Sequence, residues 1–199
     1  MPVTIVIGAG PGIGRSVGRR FEREGFGAAL ISRTGPYQAD VMDEKSLRTA
    51  LDAAVADLGL PEVVVYNAAV IRPDTPGELT VDEHLERWRV NVLGAYAAAA
   101  HLAPAMAARG HGTFLVTGGM PEPKADYSSL SLGKTGVRTL VALFAEQYPE
   151  LHFASVTVAG AVAPGTAFDP DDIAEHYWRL HNQPRAEWAL EAVHDGRAS

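Results

Sequence analysis

Short apolar runs alternate with longer amphipathic stretches along almost the whole chain. The apolar runs have the length and β-branched content of buried strands, and the stretches between them repeat apolar residues at helical spacing. The pattern predicts strands at residues 3–7, 28–32, 62–66, 113–117, 153–158 and 188–193. It predicts helices at residues 15–25, from 43 or 46 to 58, from 80 or 82 to 108, 128–147, and from 169 or 171 to 180. This alternation is typical of an α/β fold with a doubly wound parallel sheet.

The first predicted strand runs directly into a glycine-rich turn and then into the first helix. Glycines lack Cβ atoms, so a backbone can turn sharply and approach a ligand closely. The backbone N–H groups and the positive end of the helix then face an anion such as a pyrophosphate. The pattern predicts a Rossmann-type dinucleotide site in a three-layer α/β/α domain that spans residues 1–199. The residues expected to line this turn are Gly8, Gly10, Pro11, Gly12, Ile13 and Gly14.

The end of the second strand indicates which dinucleotide is preferred. A site that prefers NAD usually places a carboxylate there, about 20 residues after the glycines, to bind the ribose 2′-hydroxyl. No Asp or Glu occurs between Glu24 and Asp40, and Ser32 and Arg33 stand at this position instead. A guanidinium and a hydroxyl suit a 2′-phosphate, which favours NADP over NAD. The alternative interpretation of Arg33 is an exposed loop cation.

The segment after Arg33 is short. Residues 34–39 alone separate it from Asp40 and Val41, whereas a parallel crossover needs at least ~10–12 residues. We therefore expect the crossover helix after the second strand to be missing or shortened. The segment can still run along the carboxyl edge of the sheet, so that Asp40 and Val41 reach an adenine. Alternatively, the chain lacks a segment that its natural form has.

The long helix predicted to end near residue 108 changes character at Asn91 and Gly94, and residues 95–100 are nearly all small. Small residues allow another backbone to pack closely, which fits an oligomer contact or a buried face within the chain.

Composition narrows the classes of function. The formal net charge is −7 and no Lys- or Arg-rich run occurs, which argues against nucleic acid or anionic membrane as a partner. The absence of cysteine excludes disulfides and thiolate chemistry. His176 and His181 have a poor spacing for two metal ligands on one helical face, so no metal site is expected. No apolar run approaches the ~18 residues of a membrane span, and no targeting segment is recognisable, so we expect a cytoplasmic protein.

From residue 2 to about residue 194 the chain resembles the short-chain dehydrogenase/reductase family. The motifs that carry the resemblance are the glycine turn from Gly8 to Gly14, Asp40-Val41, Asn67-Ala68-Ala69, Asn91-Val92-x-Gly94, Lys134 and Ala159-Gly160-x-Val162. The resemblance implies that Asn67, Ala68 and Ala69 flank the cofactor ribose. It implies that Gly160 and Val162 lie by the nicotinamide, and that the protein is a homodimer or homotetramer through its long helices.

The family moves protons with a Ser, a Tyr and a Lys, and an Asn holds a relay water. Lys134 and Asn91 match this pattern, but Leu130 stands four residues before Lys134, where the family has its Tyr. The strand end where the family has its Ser reads Thr117-Gly118-Gly119, so that hydroxyl is missing too. A phenol must have its pKa lowered from about 10 to move a proton near neutrality.

Tyr127 is the remaining candidate for the acid. It precedes Lys134 by two helical turns, ~10.5 Å along an ideal helix, and reaches the site only if residues 124–129 form a loop. Hydroxyls of Ser128, Ser129 and Ser131 are nearby in the chain. The alternative is that Tyr127 packs at the helix start. Two hypotheses follow: an NADP-dependent oxidoreductase acting on a small carbonyl or alcohol, and a non-catalytic NADP(H)-binding protein with a degenerate active site.

Overall fold

A computed structural model describes residues 1–197. The elements in chain order are β1 (Val3–Ile7), α1 (Ile13–Glu22), β2 (Gly27–Ser32), β3 (Tyr37–Gln38), α2 (Glu44–Leu58), β4 (Val63–Tyr66), α3 (Val81–Trp88), a π-helical turn (Arg89–Leu93), α4 (Gly94–Arg109), β5 (Thr113–Thr117), α5 (Ser128–Gln147), β6 (His152–Val158), α6 (Pro170–His181), a short 3-10 helix (Arg185–Glu187) and β7 (Glu191–His194).

The strands form one parallel sheet in the order β3-β2-β1-β4-β5-β6-β7. This confirms the predicted doubly wound sheet. The order reverses between β1 and β4, where Val6 of β1 pairs with Leu30 of β2 on one side and with Val65 of β4 on the other. In open parallel sheets, ligands bind in the crevice at the carboxyl ends of the strands on either side of such a reversal.

The short connection after β2 contains no crossover helix, as predicted. β3 is only two residues long, and Tyr37 and Gln38 pair in parallel with the last two residues of β2. The chain turns back tightly at Gly35, where a Cβ atom would lie 2.7 Å from Ser32 Oγ. The Ala39 N–H then donates to the Ser32 carbonyl. A two-residue edge strand thus takes the place of the full third strand that six residues are too few to support.

Two apolar layers cover the sheet. Helices α2, α4 and α5 pack on one face, and α1 and α6 pack on the other. The small residues Ala95, Ala98 and Ala99 of α4 are fully buried within the chain. Of the two interpretations of that stretch, the buried intrachain face is therefore the correct one for these residues. Tyr96, on the same helix, is 55% exposed.

The segments α3, the π-helical turn and α4 form one continuous helix, Val81–Arg109. Its most apolar stretch has a mean hydropathy of 1.2, so by length and composition alone the helix could cross a membrane. The apolar runs of the sequence did not predict this. Of that stretch, 56% is buried, and α4 packs against α2 and α5. A core helix of a globular domain meets the same criterion.

Aromatic side chains attach the C-terminal elements to the rest of the domain. Trp178 packs edge-on against Phe21 of α1, and Trp188 stacks on the buried His152 ring. The indole N–H of Trp188 donates to the Gln183 carbonyl. Trp188 therefore belongs to the turn before the last strand, and β7 begins later than predicted, at Glu191.

Candidate active site

The glycine turn between β1 and α1 lies at the sheet reversal. Gly8 has φ +84°, and a Cβ atom there would collide with the backbone of Ala68 after β4. A Cβ on Gly14 would lie 2.5 Å from the Gly8 carbonyl oxygen. Both glycines are therefore required for the turn to pack against the neighbouring strand end.

Gly10 and Gly12 face the other way. A Cβ atom at either position would meet nothing within 4 Å, so this side of the turn is open. Helix α1 begins at Ile13 without a side-chain cap and without an acidic residue in its first turn. Free N–H groups and the helix dipole therefore face the open side, where an anion is favoured. The turn fits a dinucleotide pyrophosphate. Pro11 separates the two open glycines, and Ile13 is the first residue of the helix.

Asn67 joins the ends of β1 and β4. Its backbone N–H donates to the Ile7 carbonyl at 2.7 Å, and its side-chain Nδ2 donates to the Gly8 carbonyl at 2.9 Å. Ala68 and Ala69 follow, both half-buried at the mouth of the crevice. The three residues that the resemblance assigns to the cofactor ribose thus adjoin the glycine turn.

Lys134 projects from α5 into the interior. Only 4% of its surface is exposed, and its Nζ donates to the Thr117 carbonyl at the end of β5, at 2.6 Å. Burial, together with repulsion from the Arg138 guanidinium, lowers the pKa of Lys134 from 10.5 to about 8. The ammonium therefore lies at the carboxyl edge of the sheet with a single protein partner among the described residues.

Asn91 lies in the π-helical turn, directly against α5. Its Oδ1 accepts the Val70 N–H at 2.7 Å, whereas its buried Nδ2 has no hydrogen-bond partner within residues 1–197. A Cβ on Gly133 would lie 2.9 Å from the Cβ of Asn91. Glycine at 133 therefore lets Asn91 approach the helix next to Lys134. An unpaired buried donor at this point fits a site that a water or ligand completes.

The π-helical turn has a specific partner in β4. The buried phenol of Tyr66 donates to the Val90 carbonyl at 2.6 Å. It occupies the space that a Cβ on Gly94 would need. The sequence indicated an interruption near Asn91 and Gly94, but a Tyr at the end of a β-branched strand gave no signal of this contact.

The positions of the family's Ser and Tyr contain no hydroxyl. Leu130 is buried one turn before Lys134. A Cβ on Gly118 would lie 2.5 Å from Thr157 Oγ1, whereas a Cβ on Gly119 would lie 3.7 Å from Lys134 Cε, at ordinary contact distance. Gly119 is thus the position that faces the lysine, and it has space for a side chain that the chain does not supply.

Arg138 holds the backbone after β5 in place. Its guanidinium donates to the carbonyls of Gly119 at 3.0 Å and Met120 at 3.3 Å. Met120 has φ +49°, the left-handed region that is unusual for a residue with a side chain. No feature of the sequence indicated this clamp.

Tyr127 immediately precedes α5 and is not part of the helix. Its segment pairs with Asp74 through two backbone hydrogen bonds, from Asp74 N–H to the Asp126 carbonyl and from Ser128 N–H to the Asp74 carbonyl. Tyr127 is half-buried, and its hydroxyl has no hydrogen-bond partner among the described residues. The loop that the Tyr127 hypothesis requires over residues 124–129 is therefore present only as far as residue 127, because Ser128 and Ser129 already belong to α5.

A buried ion pair anchors this segment. The Asp74 carboxylate accepts the N–H and hydroxyl of Ser129 at 2.9 and 2.7 Å, and the Arg87 guanidinium at 2.9 Å. The Ser131 hydroxyl donates to the Lys124 carbonyl. Ser129 and Ser131 therefore have structural partners, and Ser128 is the one of the three predicted hydroxyl sources without one among the described residues. The Asp74–Arg87 pair was missed because isolated charges in a loop and a helix carry no sequence signal.

The residues predicted to recognise the adenosine end lie together beyond β2 and β3. Arg33 is exposed and forms no ion pair within residues 1–197. Ser32 Oγ is 3.4 Å from the Thr34 N–H, and the Asp40 carboxylate accepts the Met42 N–H at 2.9 Å. Val41 is half-buried against α2 and the sheet. An anion at this edge would meet the exposed Arg33 guanidinium, although the exposed Asp40 carboxylate lies at the same edge.

The loop after β6 contains the two residues assigned to the nicotinamide. Val162 is 40% exposed, and Gly160 lies under the ring of Phe168, which fills the space of a Cβ. The loop is closed by Asp169, whose carboxylate accepts the Gly165 N–H and caps α6. It lies at the same edge of the sheet as Lys134.

Comparisons with known proteins bear on the family and the fold of the chain. A family model described as "Enoyl-(Acyl carrier protein) reductase" matches residues 8–166. The chain is 29% identical to a cis-4-hydroxycyclohexanecarboxylate dehydrogenase of Sinomonas cyclohexanicum over 84% of this chain and 74% of that protein.

Two solved structures share the fold. An alcohol dehydrogenase from the archaeon Thermococcus sibiricus, complexed with 5-hydroxy-NADP, superposes with a TM-score of 0.88 at 23% identity, covering 97% of this chain and 95% of that one. A metagenomic short-chain oxidoreductase in complex with NADP superposes with a TM-score of 0.83 at 23% identity, covering 96% of each chain.

Proposed function

Because the chain belongs to the short-chain dehydrogenase/reductase family of oxidoreductases, we propose that it uses NADP to interconvert a small carbonyl compound and its alcohol. Bound in the crevice, the nicotinamide would supply or accept the hydride. The observation that carries this proposal is the open glycine turn at the sheet reversal together with the buried Lys134 at the same edge. Burying an unpaired ammonium is costly unless a ligand with hydroxyl groups completes its coordination.

The preference for NADP rests on charge at the adenosine end. The family binds NAD or NADP, and the two solved structures named above contain NADP or a derivative of it. In this chain, Arg33 is an exposed cation without an ion-pair partner among the described residues, and Ser32 precedes it. A guanidinium binds a phosphate through charge-assisted, bidentate hydrogen bonds, whereas it gains little from a ribose 2′-hydroxyl.

In the proposed mechanism, Lys134 binds the ribose hydroxyls, and Asn91 orders a water through its unpaired Nδ2. Tyr127 gives its phenol proton to the carbonyl oxygen of the substrate, or takes it back in the oxidative direction. The Asp74 backbone pairs with the residues on both sides of Tyr127 and so fixes the position of the Tyr127 backbone. The substrate enters between the loops 70–78, 120–126 and 163–169, which lie at the carboxyl ends of β4, β5 and β6.

The test is turnover by Tyr127→Phe with any carbonyl substrate found by following NADPH absorbance. We expect kcat to fall at least ~100-fold, since general acid catalysis contributes about that much or more, with NADPH affinity retained. Tyr148→Phe, which removes a phenol at the end of α5 far along the chain from Lys134, is the control and should leave kcat unchanged. Full activity in Tyr127→Phe would refute the assignment of the acid.

A second candidate function is favoured by the absence of a hydroxyl at Leu130 and at Gly119. A chain that retains the cradle and lacks the Ser and Tyr hydroxyls can be a non-catalytic NADP(H)-binding protein. It would bind NADPH with the same dependence on the glycine turn but reduce no carbonyl in a broad substrate screen. The double variant Gly119→Ser with Leu130→Tyr distinguishes the two candidate functions. Carbonyl reduction by this variant but not by the wild type would indicate that the wild type is a non-catalytic binding protein.

The proposal includes self-association in the cytoplasm. An apolar groove runs between α4 and α5, and four large apolar side chains there are 45–62% exposed. They are Leu93, Tyr96, Leu132 and Leu143. Family members commonly form oligomers, and a second copy that pairs its α4 and α5 with these helices would cover this surface. These exposed side chains, rather than the buried Ala95, Ala98 and Ala99, are the basis for the proposed homodimer or homotetramer.

A further inference from the structure

A chain of buried hydrogen bonds links α6 to the glycine turn. The Tyr177 hydroxyl lies 2.6 Å from Thr117 Oγ1, which lies 2.8 Å from Asn67 Oδ1. The Nδ2 of Asn67 in turn donates to the Gly8 carbonyl at 2.9 Å. Tyr177 is fully buried, and Thr117 is 8% exposed. The four residues come from α6 and from the carboxyl ends of β5, β4 and β1.

The direction of each hydrogen bond is fixed by the groups involved. The Gly8 carbonyl can only accept, so it faces the Nδ2 of Asn67 and leaves Oδ1 towards Thr117. Because Oδ1 also only accepts, the Thr117 hydroxyl gives its one proton to it. The Tyr177 phenol must then donate to Thr117. Burial raises the pKa of Tyr177, so that the phenol keeps this proton at physiological pH.

The last link of this chain acts on the cradle itself. The Nδ2 of Asn67 lies 3.0 Å from where a Cβ on Gly14 would stand, so the amide lies between Gly8 and the start of α1. Without the Thr117 hydroxyl, the Asn67 amide would lose one of the two side-chain hydrogen bonds that select its orientation among the described residues, and the Gly8 carbonyl alone would select it. A reversed amide would set Oδ1 against the Gly8 carbonyl, two acceptors facing each other, and would push the turn away from β4.

Thr117 also connects the glycine turn, through Asn67, with Lys134. Its side chain orients Asn67, and its backbone carbonyl accepts the ammonium of Lys134 at 2.6 Å. A displacement of the end of β5 would therefore move the pyrophosphate cradle and the lysine together.

We propose that Thr117 and Tyr177 are positioning residues for the dinucleotide: they hold the Asn67 amide in one orientation and thereby keep the glycine turn in its binding geometry. The inference rests on the proposed function for the identity of the ligand. It assigns a role in cofactor binding to α6, which contains none of the family motifs in this chain. Neither residue touches the ligand; both act through Asn67.

The test compares Thr117→Val, which removes the hydroxyl and keeps the shape, with Thr117→Ser, which keeps the hydroxyl. We measure NADPH affinity by fluorescence titration. Each buried neutral hydrogen bond is worth about 1 kcal/mol, so loss of the two bonds on both sides of Thr117, about 2 kcal/mol, corresponds to a Kd that is roughly 30-fold weaker. Thr117→Ser should bind within about twofold of the wild type, and Tyr177→Phe, which removes one bond, should bind about threefold to fivefold more weakly.

A second readout needs no cofactor. Amide hydrogen exchange in the free protein should accelerate about tenfold in residues 8–14 of Thr117→Val, relative to the amides of β6, and remain unchanged in Thr117→Ser. General destabilisation would accelerate both regions alike.

Three results would overturn the inference. One is unchanged NADPH affinity in Thr117→Val. Another is equal weakening in Thr117→Ser and Thr117→Val, which would assign the effect to packing of the methyl group. The third is exchange at the glycine turn that does not depend on the hydroxyl. A wild-type protein that binds no NADPH would instead refute the proposed function, and the exchange experiment would still decide whether the hydrogen-bond chain positions the turn.

Discussion

Replacing Lys134 with Met should make the protein more stable at neutral pH, although it removes a residue proposed to bind the cofactor. The ammonium is 4% exposed, and burial lowers its pKa to about 8 from 10.5. Below pH 8 the lysine is charged in both the folded and the unfolded chain, so the folded state bears the full desolvation penalty. As the pH rises from 8 to 10.5, the folded state loses its proton first and the penalty disappears.

The magnitude follows from the shift. One pKa unit corresponds to about 1.36 kcal/mol, so the 2.5 units between 10.5 and 8 correspond to about 3 kcal/mol. In Lys134→Met the Thr117 carbonyl loses its partner, which costs about 1 kcal/mol at every pH. We therefore expect the variant to be about 2 kcal/mol more stable than the wild type at pH 7, an advantage that disappears and reverses by pH 10.5.

The assay is urea unfolding of both proteins between pH 7 and pH 10.5, with the difference in the free energy of unfolding plotted against pH. Other titrating groups cancel in this difference. Lys124→Met is the matched control, since Lys124 is exposed and its replacement relieves no burial of charge, so it should not raise the stability at pH 7. Parallel curves for the wild type and Lys134→Met would refute the conclusion that the lysine is desolvated in the folded state.

Two further expectations concern the cradle and the helical groove. Gly8→Ala should lower both the melting temperature and NADPH affinity, because the positive φ of Gly8 and the adjacent strand backbone leave no space for a methyl group. Gly10→Ala should lower NADPH affinity alone, because a Cβ there meets nothing within 4 Å. Differential scanning fluorimetry and an NADPH titration measure the two effects, and equal melting temperatures for the two variants would contradict the expectation. Leu143→Asp should convert an oligomer to a monomer, whereas Leu85→Asp, at an exposed leucine outside the groove, should not. Light scattering after size-exclusion chromatography measures the mass, and an unchanged mass for Leu143→Asp would contradict the proposed interface.

Much of the fold could be predicted because its signals are local. Apolar runs of strand length and helical spacing identify elements regardless of their partners, and Asp43, Thr80 and Asp169 cap the helices that the sequence assigned to them. The short connection after Arg33 also gave a correct prediction, since a minimum crossover length is a geometric requirement. The glycine turn was recognisable because its spacing directly after a strand is a local signal, although the backbone that excludes a side chain at Gly8 is that of Ala68, far along the chain.

The parts of the site that the sequence did not reveal depend on contacts between distant segments. Nothing in the sequence indicated that the Tyr177 phenol joins Thr117 at the end of β5. Tyr66 fills the π-helical turn, and Asp74 anchors the start of α5 together with Arg87. A Tyr or an isolated charge has many possible roles, and only the packing of strands and helices selects one.

The measurement that tests the central claim most directly is a parallel titration of NADPH and NADH into the wild-type protein and Arg33→Ala. We expect NADPH to bind at least ~10-fold more tightly than NADH, because a charge-assisted guanidinium–phosphate contact contributes about 1.5–3 kcal/mol, and we expect Arg33→Ala to remove most of this preference without weakening NADH. Equal affinity for the two cofactors would contradict the assignment of Arg33, and binding of neither would contradict the proposal that this protein is a dinucleotide-dependent oxidoreductase.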